Sequence, residues 1–212
     1  MRYIEKSSEP ENLRGFRISD DPNWNPGWKD LDSRTDIKRS IHETLVAEQG
    51  FICCYCERRI TRDESHIEHI KPRSRYPDDS LDYGNLLASC MREMEKRKPR
   101  HCGMRKDNWY DESLFISPTD SACEGRFGFT GMGQIYSLDD GDAAANETID
   151  RLGLDIRKLR AKRKGVLDAF VDDLNTLSRD DRQRMIDEFQ IRDRNGMLQE
   201  FCSAIVYLLR NY

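Results

Sequence analysis

The chain has 212 residues, of which 35% are charged and 37% hydrophobic, with a formal net charge of −4. That length suits one domain or two small ones, and so polar a composition describes a soluble protein with a modest core. No run of about 18 apolar residues offers a membrane span, and Met1-Arg-Tyr-Ile-Glu-Lys6 lacks an apolar leader, so a cytoplasmic protein is expected. The acidic average hides an asymmetry: residues 57–106 carry 13 Lys/Arg against 9 Asp/Glu, which leaves −8 for the rest of the chain. Such a basic stretch suffices for phosphate contact whatever the whole-chain charge. A second basic run, Arg157-Lys-Leu-Arg-Ala-Lys-Arg-Lys164, reads equally well as a solvated helix face.

Along the chain, residues up to about 28 are rich in Pro, Asn and Asp and read as extended or loop. Ile37, Ile41 and Leu45 recur at a spacing of four with Gly50 just beyond, which predicts an amphipathic helix over 35–48 with a glycine cap. Residues 51–60 read as a knuckle, strand, Cys-x-x-Cys turn, strand. Residues 65–70 are β-like and are ended by Pro72, which biases Lys71 away from helix. A polar loop follows over 73–83. Residues 85–94 are expected to begin a helix, and 92–100 to form a charged excursion. Residues 126–130 and 134–138, joined at Gly131-Met-Gly133, predict a small hairpin. The last third is helical: Leu159, Val166, Phe170, Leu174 and Leu177 share a face, Ser178-x-x-Asp181 is a capping signal, and Leu198, Phe201, Cys202, Ile205, Val206 and Leu209 form a further face. The expected division is an N-terminal extended segment and helix (1–50), a central core (51–120) and a hairpin with a helical C-terminal region (121–212).

Seven cysteines, an odd number, argue against a secreted disulfide framework. Cys53 and Cys56 present two thiolates from one tight turn, and Cys90 with Cys102 supplies a distant pair; together they read as a structural zinc staple. Cys54 and His101 are neighbours able to substitute as ligands. Cys54, Cys123 and Cys202 remain outside the four. A redox Cys-x-x-Cys is the rival reading, though no thioredoxin-like order of strands and helices surrounds it.

Inside the staple lies His66-Ile-Glu68-His69-Ile-Lys-Pro72, then Asn85-Leu-Leu. Hydrolysis of a phosphodiester needs an activated water, charge neutralisation on the phosphate and help for the leaving oxygen. His69 can take the proton near neutral pH, a divalent cation held by Glu68 can do the rest, and Asn85 can orient the imidazole through its amide. Neighbours on a regular strand point to opposite faces, so the strand must bend or end at His69 for both to reach one site. His66 shares the face of Glu68, as a second metal ligand or a supporting residue; support is the favoured reading.

The segments Cys53-Cys-Tyr-Cys56, Glu68-His69-Ile-x-Pro72, Asn85-Leu-Leu-x-x-Cys90 and His101-Cys102-Gly-x-x-Lys106 resemble the zinc-containing HNH endonucleases of the ββα-metal fold. The likeness is nearer still to the PtuB-like HNH subunits of Septu and retron-associated antiphage systems, and extends over 1 to about 170. The resemblance implies an α+β protein with a ββα-metal HNH core stapled by a four-cysteine zinc knuckle, an N-terminal helix and a helical C-terminal region. It implies His69 as general base, Glu68 on the catalytic metal (Mg²⁺ or another divalent cation) and Asn85 as the middle asparagine. Where many HNH proteins carry the last metal ligand, this chain has Gly103; His101 is the chosen substitute, with Asp107 and Asn108 as alternatives. Lys106 is expected to meet a phosphate or the helix end, and Arg73 a phosphate. The implied partners are DNA or RNA and an ATPase subunit of the ABC/SMC-like (PtuA-like) type, for which the helical C-terminal third is a suitable surface. The alternative is a zinc-stapled nucleic-acid or protein-binding module without turnover.

Overall fold

The computed structural model describes residues 1–18, 21, 23–90, 99–171 and 177–211. The N-terminal stretch is less extended than its composition suggests: α1 (Glu11–Arg17) starts from Pro10 and buries Leu13. A helix that buries one residue leaves no periodic signal in the sequence, which is why it reads as loop. Helix α2 (Thr35–Glu48) spans the expected residues and buries Ile37, Ile41 and Leu45. It stops at Gly50, whose φ of +65° is a backbone conformation glycine adopts at no steric cost. A Cβ there would also lie 2.6 Å from the Leu198 side chain.

The knuckle that follows is closed by the Cys53 N–H donating to Arg58 O at 2.8 Å and by a single bridge between Ile52 and Arg59. Strands β1 (Ser65–His69) and β2 (Leu86–Cys90) then pair antiparallel, with Glu68 opposite Leu87 and His69 opposite Leu86. The helix expected from residue 85 is therefore a strand at its start. Leu-Leu-Ala-Ser-Cys is buried at all five positions, a continuous apolar run that periodicity cannot assign, and pairing with β1 decides it. The far edge of β2 is sealed by several groups: the Gln49 amide donates to Ala88 O at 2.8 Å and accepts from Ala88 N at 2.7 Å, the Cys54 N–H also donates to Ala88 O, and Lys6 donates to Leu86 O. A buried edge needs such partners. The excursion expected over 92–100 falls mostly outside the described residues.

Helix α3 (Gly103–Lys106) is one turn long and completes the ββα order. Strands β3 (Phe127–Phe129) and β4 (Ile135–Ser137) form the predicted hairpin. Helices α4 (Ala143–Leu152), α5 (Arg157–Val171), α6 (Arg179–Gln190) and α7 (Cys202–Asn211) fill the last third. Ser178 caps α6 as expected, accepting from the Asp181 N–H, while Leu174 lies outside the described residues. The basic run on α5 is not all solvated, because Arg163 is buried and donates to Gly133 O and Leu154 O.

One hydrophobic cluster draws residues from all three expected segments. The C-terminal region grips the knuckle directly: Leu198 N–H donates to Gly50 O at 3.0 Å, Phe201 N–H to Glu57 O at 3.1 Å and Ser203 N–H to Glu57 Oε2 at 2.8 Å. Among the described residues no helix is long and apolar enough to cross a membrane.

Candidate active site and metal centre

The knuckle turn carries Cys53 and Cys56, the end of β2 carries Cys90, and Cys102 immediately precedes α3. Their four sulfurs lie within 4.8 Å of one another and all four residues are buried. Four soft donors at these separations fit tetrahedral zinc. The Cys90 N–H donates to Cys53 Sγ at 3.3 Å. Deprotonation favours the turn pair. Hydrogen bonding to Cys102 leads in bringing the Cys56 thiol down to about 7; for Cys53, burial pushes up but hydrogen bonds from the other cysteines outweigh it.

His101 belongs to this cluster. Its Nδ1 lies 3.2 Å from Cys102 Sγ and 3.6 Å from Cys90 Sγ, and its Nε2 is buried without a hydrogen-bond partner among the described residues. The expectation that His101 joins Glu68 on the catalytic metal is corrected by this geometry. The histidine that does reach Glu68 is His66, with Nε2 3.2 Å from Oε2.

Strand β1 ends at His69, and the charge of Glu68 within the strand acts on the His69 ring. Glu68 Oε1 accepts from Tyr55 Oη at 3.2 Å and pairs with Lys106 Nζ at 3.1 Å. Burial pushes the Glu68 carboxyl up, but the His66 hydrogen bond and the Lys106 charge outweigh it, so its pKa falls below the ordinary value. Lys106 also donates to His69 O at 2.9 Å and its side chain is fully buried. It is therefore not an exposed phosphate contact: α3 is a single turn that points this ammonium inward, where it neutralises Glu68. Arg73 stays exposed, its guanidinium 5.4 Å from the Trp28 ring centre.

The His69 ring packs edge-on to Trp28, centroids 4.5 Å apart, and its Nε2 lies 3.0 Å from Ser80 O. A carbonyl only accepts, so Nε2 carries the proton and Nδ1 is left to take one. Burial leads in lowering the His69 pKa to about 4, with Arg73 and Lys106 adding to it; the ring is neutral at pH 7. Asn85 does not touch the imidazole. Its Oδ1 accepts from Lys71 N–H at 2.8 Å, and its Nδ2 donates to Lys71 O at 3.1 Å and Asp79 O at 3.0 Å. The amide ties the loop between β1 and β2 to itself, and Ser80, next to Asp79, orients His69. Asn85 thus acts one step removed from where the sequence places it.

Tyr55, Ser80 and Trp28 escape a reading of the sequence alone. Tyr55 sits within Cys-Cys-Tyr-Cys and is the one with a signal; a backbone carbonyl and a distant tryptophan have none. Gly103 faces the carboxylate: a Cβ there would lie 2.3 Å from Glu68 Oε2 and 2.6 Å from His66 Nε2. The absent side chain leaves a cradle beside an oxygen and a nitrogen donor, and that donor set fits a divalent cation.

The HNH endonuclease family model matches residues 53–92, the stretch from the knuckle through β2. The chain is 32% identical over 149 residues to the candidate HNH endonuclease of retron Vc95 from Vibrio cholerae serotype O1 biovar El Tor, covering 64% of this chain and 67% of that protein. The chain belongs to the HNH endonuclease family. A second relative of this HNH endonuclease, the candidate HNH endonuclease of retron Ec83 from Escherichia coli, is 28% identical over 100 residues, which cover 43% of the chain but 38% of that longer relative.

Proposed function

We propose that the protein hydrolyses phosphodiester bonds of nucleic acid, DNA or RNA, with His69 as the general base that deprotonates the attacking water. The observation that carries this reading is the His69 ring: buried against Trp28, held through Nε2 by Ser80 O, and beside an ionised Glu68. Glu68 holds Mg²⁺ or another divalent cation, which when bound neutralises phosphate charge and acidifies water. Asn85 keeps the 71–80 loop in place, and Lys106 fixes Glu68 from behind. A groove of about 480 Å³ beside His66 is lined by Trp28, Lys38, Arg39 and Arg62; with Arg73 nearby, these side chains receive the phosphates of the approaching strand.

The names of the retron relatives and the PtuB-like resemblance support a wider role. The protein is a cytoplasmic effector of an antiphage defence system, working with an ATPase subunit of the ABC/SMC-like (PtuA-like) type that docks on the helical region 121–212. A binding module without turnover is the second reading, and two observations favour it: Gly103 offers no ligand, and Lys106 already pairs with Glu68. Incubation of mixed DNA and RNA with the zinc-loaded protein and Mg²⁺ or Mn²⁺, beside His69→Ala, separates them. The nuclease reading expects cleavage reduced by about 10²–10⁴-fold in the variant. Nucleic acid bound by both proteins and cut by neither, with the ATPase partner present, supports the binding module instead.

A further inference from the structure

We infer that His66 is a ligand of the catalytic cation, chelating it together with Glu68 Oε2, and that the site consequently favours first-row transition ions over Mg²⁺. The inference rests on the reading of Glu68 as the cation-holding carboxylate. It assigns His66 more than the supporting role its sequence position suggests.

The two carboxylate oxygens of Glu68 keep different company. Oε1 is engaged by the Tyr55 hydroxyl at 3.2 Å and the buried Lys106 ammonium at 3.1 Å. An ammonium there repels a second cation on that side. Oε2 faces His66 Nε2 at 3.2 Å. This is also where solvent reaches: the His66 side chain is 23% exposed and that of Glu68 8%.

Strand geometry explains why the two meet. Residues i and i+2 of β1 project from the same face, so His66 and Glu68 rise side by side at the end of a hairpin held by five paired positions. Opposite them α3 begins with Gly103. A Cβ would come within 2.3 Å of Oε2 and 2.6 Å of Nε2, so this helix start is closed to any side chain and supplies no donor. The strand supplies the nitrogen instead. Neighbouring positions of an octahedron with bonds of about 2.1 Å lie about 3.0 Å apart, close to the separation that Nε2 and Oε2 already have.

An imidazole nitrogen beside a carboxylate oxygen sets a preference. Magnesium takes oxygen donors and keeps its waters, whereas Mn²⁺, Ni²⁺ and Zn²⁺ accept imidazole, with affinity rising from Mn²⁺ to Ni²⁺. The buried Lys106 cation lowers affinity for every divalent ion alike and leaves the order unchanged.

The test titrates Mn²⁺ into the zinc-loaded full chain, counting free Mn²⁺ by electron paramagnetic resonance and reading ligand nitrogen by pulsed methods. Wild type is expected to show one site with a ¹⁴N coupling. His66→Ala should bind at least about tenfold more weakly and lose the coupling. His66→Asp should recover most of the affinity without nitrogen, and His69→Ala should keep both. Mg²⁺ should displace Mn²⁺ more readily from His66→Asp than from wild type. Zinc content and melting temperature of each variant establish that it is folded. Equal binding by wild type and His66→Ala, or a wild-type site without ¹⁴N coupling, overturns the inference and leaves the cation reading intact. A folded wild type with no Mn²⁺ site at all overturns both.

Discussion

Asn85 shows how a single side chain can order the loop that leads to Ser80. Its amide makes three hydrogen bonds to the backbone of Lys71 and Asp79, and Ser80 then presents the carbonyl that fixes the His69 tautomer. Replacing Asn85 with Ala leaves buried backbone groups unsatisfied, at about 1–3 kcal/mol. Cleavage should fall further than that destabilisation explains, which melting curves and initial rates on the same preparation will show. The sequence singles out Asn85, Glu68 and His69 because their residue types and order carry chemistry. It does not reveal who holds whom. The partners of Asn85 are backbone atoms 6 and 14 residues away, and Lys106 reads as reaching out to phosphate because nothing in the sequence says that α3 lasts one turn. His101 misleads for a related reason: nothing in its sequence position says that its ring turns to the sulfurs of Cys90 and Cys102.

Among the elements, the staple and the hairpin bear the packing. The four cysteines join the knuckle, β2 and α3, and Tyr55 on the knuckle donates to Glu68, so the cysteine cluster also sets the position of that carboxylate. Structural zinc supplies roughly 10–16 kcal/mol of apparent binding free energy in small peptides. Cys90→Ser, or a chelator applied to wild type, should therefore abolish zinc retention and cooperative melting together; a folded, zinc-free protein by calorimetry and metal analysis would refute the staple. The hairpin depends on Gly133, where φ is +77° and a Cβ would meet the Arg160 carbonyl at 2.3 Å and Lys164 N at 2.8 Å. Both are backbone atoms and cannot give way. Gly133→Ala should cost on the order of 1–3 kcal/mol, while Gly131→Ala, with nothing within 4 Å, serves as the neutral control in the same melts. Gly131-Met-Gly133 is readable as a turn, since turn chemistry is local; that α5 presses against it is not.

Across the whole molecule, the C-terminal helices close over the knuckle, and Glu57 is the point of closure. Its carboxylate takes the Ser203 N–H at 2.8 Å and the Met1 amino group at 3.1 Å. Burial pushes this carboxyl up, but the amino-group charge and the Ser203 bonds outweigh it, and the net pKa lies below 4.5. A depressed folded-state pKa means stability that is present above about pH 4.5 and lost as pH falls through the lower value. The melting temperature should drop on acidification below about pH 4.5, and Glu57→Gln should melt lower at pH 7 with a shallower acid loss. Contacts such as Arg2 to Gln190 O join positions too far apart for any periodicity to betray. The sequence accordingly suggests three segments, where the fold has a shared core.

If His69 is the base of the nuclease site, a small exogenous base can take its place. Truncation of His69 to Ala opens a space beside Trp28 large enough for free imidazole. Cleavage is expected to be lost in His69→Ala and partly restored by added imidazole, with wild type unaffected; undiminished cleavage by His69→Ala without imidazole would show that His69 is not the base.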